Sequence, residues 1–167
     1  SLSDPPHTAA EFTLTERPEG RPMVGRVDRG DRARALVPSR YRVLRMLGAG
    51  GTGFLFDAED NVLGRPVAIK IVDRLDAPEP LLREARFAAS LRHPNVVAVY
   101  EVDPAARILV MELVAGNDLE TVAEGGPLVP QRVVEIGRAL ASALGAAHAR
   151  GMLHRDVKPA NVLLAED

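Results

Sequence analysis

Cysteine is absent from the 167 residues, which excludes disulfides and thiolate metal sites and leaves nothing that demands an oxidising compartment. Aromatic residues make up only 4% of the chain, so a packed core has to come from Leu, Val and Ala. No apolar run approaches the ~18 residues of a membrane span; the longest stretches, such as "ALASALGAA" at 139–147, are short and Ala-rich. Neither charge sign dominates: 21 basic against 23 acidic residues give −2, which argues against a generic nucleic-acid binder. The opening "SLSDPPHTAAEF" has no basic start followed by an apolar stretch, so no signal peptide is expected, and the missing initiator Met suggests a start inside a longer chain. Lysine is almost absent as well. Of the 21 basic residues all but Lys70 and Lys158 are arginine. An Arg-rich coding bias explains the arginines but not where the two lysines sit.

What is present falls into order along the chain. The length suits one domain, or a domain with a tail. Residues 1–37 are rich in Pro, Gly, Arg and Glu without a sustained period, so a disordered tail is expected there. "YRVLRML" from Tyr41 alternates as a strand and runs into "GAGGTG" at 48–53; "FLFDAED" reads as a second strand and "VAIKIV" at 67–72 as a third, buried on both faces. A helix is expected over about 81–91, from the stripe Leu81, Leu82, Ala85, Ala88, Ala89 and Leu91. "VVAVYEV" and "RILVMEL" read as two more strands, followed by a Gly-containing loop at 115–118 and a short helix near 119–123. The longest helix starts near Pro130, with Val133, Ile136, Leu140, Leu144 and Ala147 as its buried face and Gly151 as its stop. Five strands with one inserted helix, then helices, make an α+β plan in two lobes.

Three segments carry chemistry. "GAGGTG" fits G-x-G-x-x-G at Gly48, Gly50 and Gly53, a spacing shared with the dinucleotide fingerprint. That fingerprint needs a helix directly after the glycines, whereas a strand pattern follows here. A glycine loop between antiparallel strands forms a flap whose N–H groups can reach phosphate oxygens, although an ordinary Gly-rich hairpin has the same look. Lys70 ends the apolar run "VAIK", where an ammonium needs a phosphate or a carboxylate beside it. Glu84, among Ala85, Ala88 and Leu91, could supply the carboxylate or could belong to a solvated "REAR" face. "HRDVKPAN" places Asp156, Lys158 and Asn161 on one loop after the long helix. Such a loop can aim a carboxylate at a hydroxyl, an ammonium at a transferring phosphoryl group and an amide oxygen at a hard cation.

With these motifs in this order, residues 40–167 closely resemble the eukaryotic-type protein kinases, above all the bacterial Ser/Thr branch. "LGAGGTGFLFDAED" resembles the glycine-rich loop and second strand, "VAIK" the third strand, "ILVMELVAGNDL" the fifth strand and hinge, and "HARGMLHRDVKPANVLL" the catalytic loop. The resemblance implies an α+β, two-lobe kinase fold. A complete five-stranded N-lobe with its helix would span about 40–113, a hinge 112–117, and the first part of a helical C-lobe 118–167, within a kinase domain over 38–167. It implies ATP and Mg²⁺ as cofactors. Leu47, Gly48, Ala49, Gly50, Gly51, Thr52 and Gly53 would cover the phosphates, and Lys70 would bind them, held by Glu84. Leu55 and Ala68 would pack on adenine beside Met111, and the backbones of Glu112 and Val114 would bond its edge. Asp156 would be the catalytic base, Lys158 the γ-phosphate contact and Asn161 a Mg²⁺ ligand. Arg155 next to Asp156 implies control through activation-loop phosphorylation; His93 and His148 would be structural.

Departures from the family pattern are three. Leu55 stands where Val is usual, the gap from Lys70 to Glu84 is short, and the sequence reaches Asp167 without D-F-G, whose Asp would hold Mg²⁺. The expectation is therefore a fragment of a kinase that transfers the γ-phosphoryl of ATP to a protein Ser/Thr hydroxyl, inactive as these 167 residues alone. The alternative is a non-catalytic, kinase-derived module that binds a nucleotide or a partner. Small-molecule phosphotransferases share a similar loop but typically lack the Lys at position 158. Expected partners are ATP and a protein substrate, with no nucleic acid and no membrane segment, and the expected location is cytoplasmic.

Overall fold

A computed structural model describes residues 26–50, 53–72 and 89–166. By backbone contacts the chain forms two compact units; among the described residues one takes in 26–50, 53–72, 89–90 and 98–113, the other 91–97 and 114–166.

The first unit is a five-stranded antiparallel sheet with the order β1-β2-β3-β5-β4. Its strands are β1 (Tyr41–Gly50), β2 (Gly53–Asp60), β3 (Arg65–Val72), β4 (Val99–Asp103) and β5 (Ile108–Glu112). The β-branched run "VAIKIV" takes the centre, where every residue from Val67 to Val72 is buried, as the continuous apolar pattern requires. Strand alternation sorts the sheet into two faces. Phe54, Phe56, Ala58, Val67, Ile69, Ile71, Ile108 and Val110 form the apolar cluster on one of them. Each fully buried Ile or Val there contributes about 1.5–3 kcal/mol. Cross-strand register puts Leu55, Lys70 and Leu109 in one row, and Asp57, Ala68 and Met111 in the next, on the opposite face. Lys70 thus shares a strand with the core without pointing into it.

Residues 26–34 depart from the expected disordered tail: they form helix α1 (Arg26–Arg34), with Ala33 buried in the apolar cluster of the sheet. Gly30 in mid-helix and the polar composition hid this helix, which tertiary contact holds. Polar ties close the sheet's far end. Arg40 makes two bonds to Asp60, 3.0 and 2.8 Å, and Tyr41 Oη donates to Glu101 at 2.8 Å. Asp60 Oδ1 also accepts from the Val62 and Leu63 amides, shaping the β2–β3 turn.

The second unit contains β6 (Gly116–Asp118), α2 (Leu119–Glu124), α3 (Pro130–His148), a single 3-10 turn at Pro159–Asn161 and β7 (Leu163–Ala165). Asp118 caps α2 through Thr121, 2.7 Å to the amide. Pro130 opens α3, where a missing N–H costs nothing. The buried positions of α3 are Ile136, Ala143 and Ala147; Val133, expected on the buried face, is exposed. Leu91 and Val96 pack against Ala143 and Ala147. His93 Nδ1 accepts from the Asn95 amide at 3.1 Å, which leaves Nε2 to donate to Ser142 Oγ at 3.0 Å. His93 is therefore a structural tie, whereas His148 ends α3 exposed. The expected Gly-containing loop at 115–118 is instead strand β6, paired with β7 through Gly116↔Ala165, Asn117↔Leu164 and Asp118↔Leu163.

Candidate functional site

The site residues expected from sequence fall into two groups, one in each unit. On the sheet, β1 and β2 form a hairpin whose tip lies between Gly50 and Gly53, which pair with one another. Gly53 has φ +138°, a backbone that L side chains rarely adopt, so the flap's return needs glycine at that position. Leu47 falls at a bulge between Met46 and Gly48, and Gly48 pairs with Leu55. Ala49 is partly buried against the apolar cluster. Gly51, Thr52 and Glu84 lie outside the described residues.

Lys70 is only 3% exposed, in the central strand, flanked by Leu55 and Leu109. Ala68 and Met111 are direct neighbours across β3 and β5, both 5% exposed. Leu55, Ala68, Lys70 and Met111 therefore share a single sheet face, which sets a lysine side chain beside apolar ones. Glu112 is tied to the strand beside it: its amide donates to Ala98 O at 2.9 Å, and its carboxylate accepts from the Ala98 amide at 3.2 Å. The Glu112 N–H is thereby committed to Ala98. Val114 opens the second unit and is half-buried.

On the loop after α3 the structure brings Asp156, Lys158 and Asn161 together. Lys158 Nζ lies 3.1 Å from Asp156 Oδ2. Asn161 Nδ2 donates to Asp156 Oδ2 at 3.0 Å and to the Asp156 carbonyl at 2.8 Å. The bond to Lys158, above all, holds the Asp156 carboxyl below its ordinary value against the opposing effect of desolvation, and the Asn161 amide helps. The Asp156 amide donates to His154 Nδ1 at 3.2 Å, and Arg155 between them has φ 64°, a strained turn that aims the next carboxylate. Pro159 starts the 3-10 turn, closed by Asn161 N–H to Lys158 O (2.9 Å) and Val162 N–H to Pro159 O (3.0 Å). Val162 and Leu164 then anchor the loop's exit, packed with Ile136.

Asn161 is 2% exposed, and its Oδ1 is buried without a hydrogen-bond partner. An orphaned buried carbonyl oxygen costs free energy unless something meets it, and an amide oxygen is a ligand for a hard cation. Among the described residues no group of three or more His, Cys, Asp or Glu could hold a metal by itself. The chemistry present is that of one amide oxygen available to a hard cation, whose remaining ligands would come from outside this loop.

Two features escaped the sequence reading. Asp118, 2% exposed, is a buried carboxylate in β6 with both oxygens engaged by Thr121. Its signal, an Asp three residues before a Thr at the start of "LETVAE", is that of a helix cap. The β6–β7 ribbon joins the segment after β5 to the loop's exit through Leu119 N–H to Val162 O and Glu166 N–H to Ala115 O, both 2.8 Å. Three-residue strands leave almost no periodic signal.

Comparison with known proteins agrees with this geometry. The family model of the protein kinase domain matches residues 41–167. The serine/threonine-protein kinase PknH of Mycobacterium tuberculosis is 43% identical over 136 residues, covering 76% of this chain and 22% of that kinase. PknE of the same species is 42% identical over 137 residues, 76% of this chain and 24% of that protein. The crystal structure of the Mycobacterium tuberculosis PknI kinase domain superposes with a TM-score of 0.67 at 32% identity, over 77% of this chain and 56% of that domain. The fold is α+β and kinase-like: the five-stranded sheet of an N-lobe and the first helices of a C-lobe. The chain belongs to the protein kinase family, and its relatives are bacterial serine/threonine kinases. It spans about a quarter or less of the length of PknH and PknE. Among the described residues no helix is long and apolar enough to cross a membrane.

Proposed function

We propose that these residues bind ATP and form the phosphate-handling part of a serine/threonine kinase, which transfers the γ-phosphoryl group to a protein hydroxyl. The observation that carries the reading is the loop constellation: a carboxylate that holds an ammonium at 3.1 Å and the Asn161 amide nitrogen at 3.0 Å, with the oxygen of that amide left unpartnered. In the transfer, the γ-phosphorus–oxygen bond of ATP breaks as a bond to the substrate hydroxyl oxygen forms. Asp156 orients that hydroxyl and accepts its proton. Its lowered pKa keeps it ionised at neutral pH, so it acts mainly by aiming the nucleophile. Lys158, released from Asp156, neutralises charge on the moving phosphoryl group.

The backbone of the flap, Leu47 to Gly53, covers the phosphates, and Lys70 binds them with Glu84 as its carboxylate partner. Leu55, Ala68 and Met111 enclose the adenine, whose edge meets the backbones of Glu112 and Val114. Asn161 Oδ1 would hold a Mg²⁺ ion, which when bound supplies charge neutralisation at the phosphate oxygens.

The sequence contains no D-F-G, so the carboxylate which that motif would add to the Asn161 amide as a metal ligand is lacking from these 167 residues, which by themselves would bind nucleotide without turning it over. Calorimetry of the whole chain with ATP and Mg²⁺ tests this. Binding that is lost in Lys70→Met supports the reading, and wild-type protein that binds no ATP refutes it. Phosphorylation of a Ser/Thr-rich protein above an Asp156→Asn control would overturn the claim that the chain alone is inactive.

A further inference from the structure

Helix α1 lies outside the residues matched by the kinase family, which begin at Tyr41. It nevertheless touches both stems of the glycine flap. Gly30 is buried, and a Cβ built there would lie 3.7 Å from Met46 Sδ and 3.9 Å from the Phe54 ring. Met46 is two residues before Gly48, and Phe54 follows Gly53. Ala33 enters the sheet's apolar cluster, and Arg34 Nη2 donates to Val43 O at 3.0 Å. The link to β1 carries three backbone bonds, Leu36 N–H to Ala33 O, Val37 N–H to Arg34 O and Tyr41 N–H to Pro38 O.

The hairpin needs such support. β1 is an edge strand with β2 as its single partner, and its ladder breaks twice, between Val43 and Arg45 and between Met46 and Gly48. Bulged edge strands close to a glycine-rich tip are the part of a sheet most prone to fray.

We propose that α1 is a brace that fixes the stems of the glycine flap and thereby sets how tightly the phosphates of a nucleotide are held. The proposal rests on the nucleotide-binding reading above. Its signature is selectivity: the flap's amides meet phosphates, while the base also has Ala68 and Met111 on strands that α1 does not brace, so loosening the flap weakens ATP binding more than adenosine binding.

The test compares wild type, Gly30→Ala, Gly30→Leu and Arg34→Ala in the whole chain, by hydrogen exchange and by titration with ATP and with adenosine. The Gly30 site has room for a methyl group at ordinary contact distance, so Gly30→Ala keeps wild-type behaviour. Gly30→Leu overpacks against Met46 and Phe54, and exchange at 47–54 quickens about tenfold, with ATP affinity falling by a similar factor and adenosine affinity falling less. Arg34→Ala removes only the bond to Val43 and gives a smaller change in the same direction; it decides the matter if Gly30→Leu unfolds the unit. Unchanged exchange at 47–54, or equal loss of ATP and adenosine affinity, overturns the brace. If wild type binds neither ligand, the nucleotide reading falls, and the exchange result alone decides whether α1 braces the hairpin.

Discussion

Replacing Gly116 by alanine tests whether the β6–β7 ribbon holds the loop that carries Asp156, Lys158 and Asn161. A Cβ at this position would lie 2.0 Å from the Leu164 carbonyl oxygen, 2.9 Å from its carbon and 3.1 Å from the Ala165 Cα. All three are backbone atoms, so no side-chain rotation relieves the overlap. The φ of +152° is also a conformation that alanine rarely adopts, at a cost of about 1–3 kcal/mol. To make room the two strands must part, which strains Glu166 N–H to Ala115 O and Leu119 N–H to Val162 O. Those bonds are worth roughly 0.5–1.5 kcal/mol each, so the whole effect is about 2–6 kcal/mol. The damage should be local, because the sheet belongs to the other unit. Hydrogen exchange is the assay: the Leu119 and Glu166 amides should exchange at least about 30-fold faster, the factor that corresponds to the lower bound, while β3 amides keep their protection. Exchange at both amides within about threefold of wild type would refute the argument that this contact holds the loop's exit.

Three further outcomes follow from the same physical reasoning. Asp60 is held down to about 2, chiefly by its bonds to Arg40, and Tyr41 is pushed up to about 12, chiefly by burial and then by its bond to Glu101. Below its ordinary 3.8 the unfolded chain takes up a proton that folded Asp60 refuses, so this stabilisation is full above 3.8 and fades as pH falls towards about 2. Above its ordinary 10.0 the unfolded chain loses a proton that folded Tyr41 keeps, so that contribution fades as pH rises towards about 12. Denaturation midpoints followed across pH should fall at both ends, and Asp60→Asn should shrink the acid-side slope, to which Asp156 also contributes; an unchanged slope would contradict the assignment. Asn161→Ala removes the orphaned oxygen and should abolish the Mg²⁺ dependence of ATP binding, read by titration with and without the metal, while Mg²⁺-free affinity changes little. Ile69→Ala empties a fully buried site in the central strand and should cost about 2–5 kcal/mol in urea denaturation, and a loss under 1 kcal/mol would mean that the sheet's apolar cluster is not packed as described.

The parts of this molecule that were legible in the sequence are those where local pattern and global role coincide. "VAIKIV" is buried on both faces because a central strand demands it, and the same alternation that hides Val67, Ile69 and Ile71 delivers Lys70 to the other face. "HRDVKPAN" was legible because Pro159 and the apolar exit fix a short loop, so three polar residues within it have to converge. What was not legible depends on partners distant in sequence. α1 contains Gly30 and reads as a charged linker; it is a helix because Ala33 and Gly30 fit against strands whose residues lie more than ten positions away. β6 reads as a turn because "GND" favours one, and it is a strand because "LLA", more than forty residues later, supplies its ladder. The orphaned Oδ1 of Asn161 belongs to the same class. A sequence shows an amide at that position, but only packing shows that Nδ2 is already spent on Asp156 and that the oxygen is left facing no protein donor. An asparagine so placed holds its carboxylate neighbour still with one end and leaves the other open. On the function proposed above, that open end would meet a cation, and one side chain would couple the group that aims the hydroxyl to the charge on the phosphates.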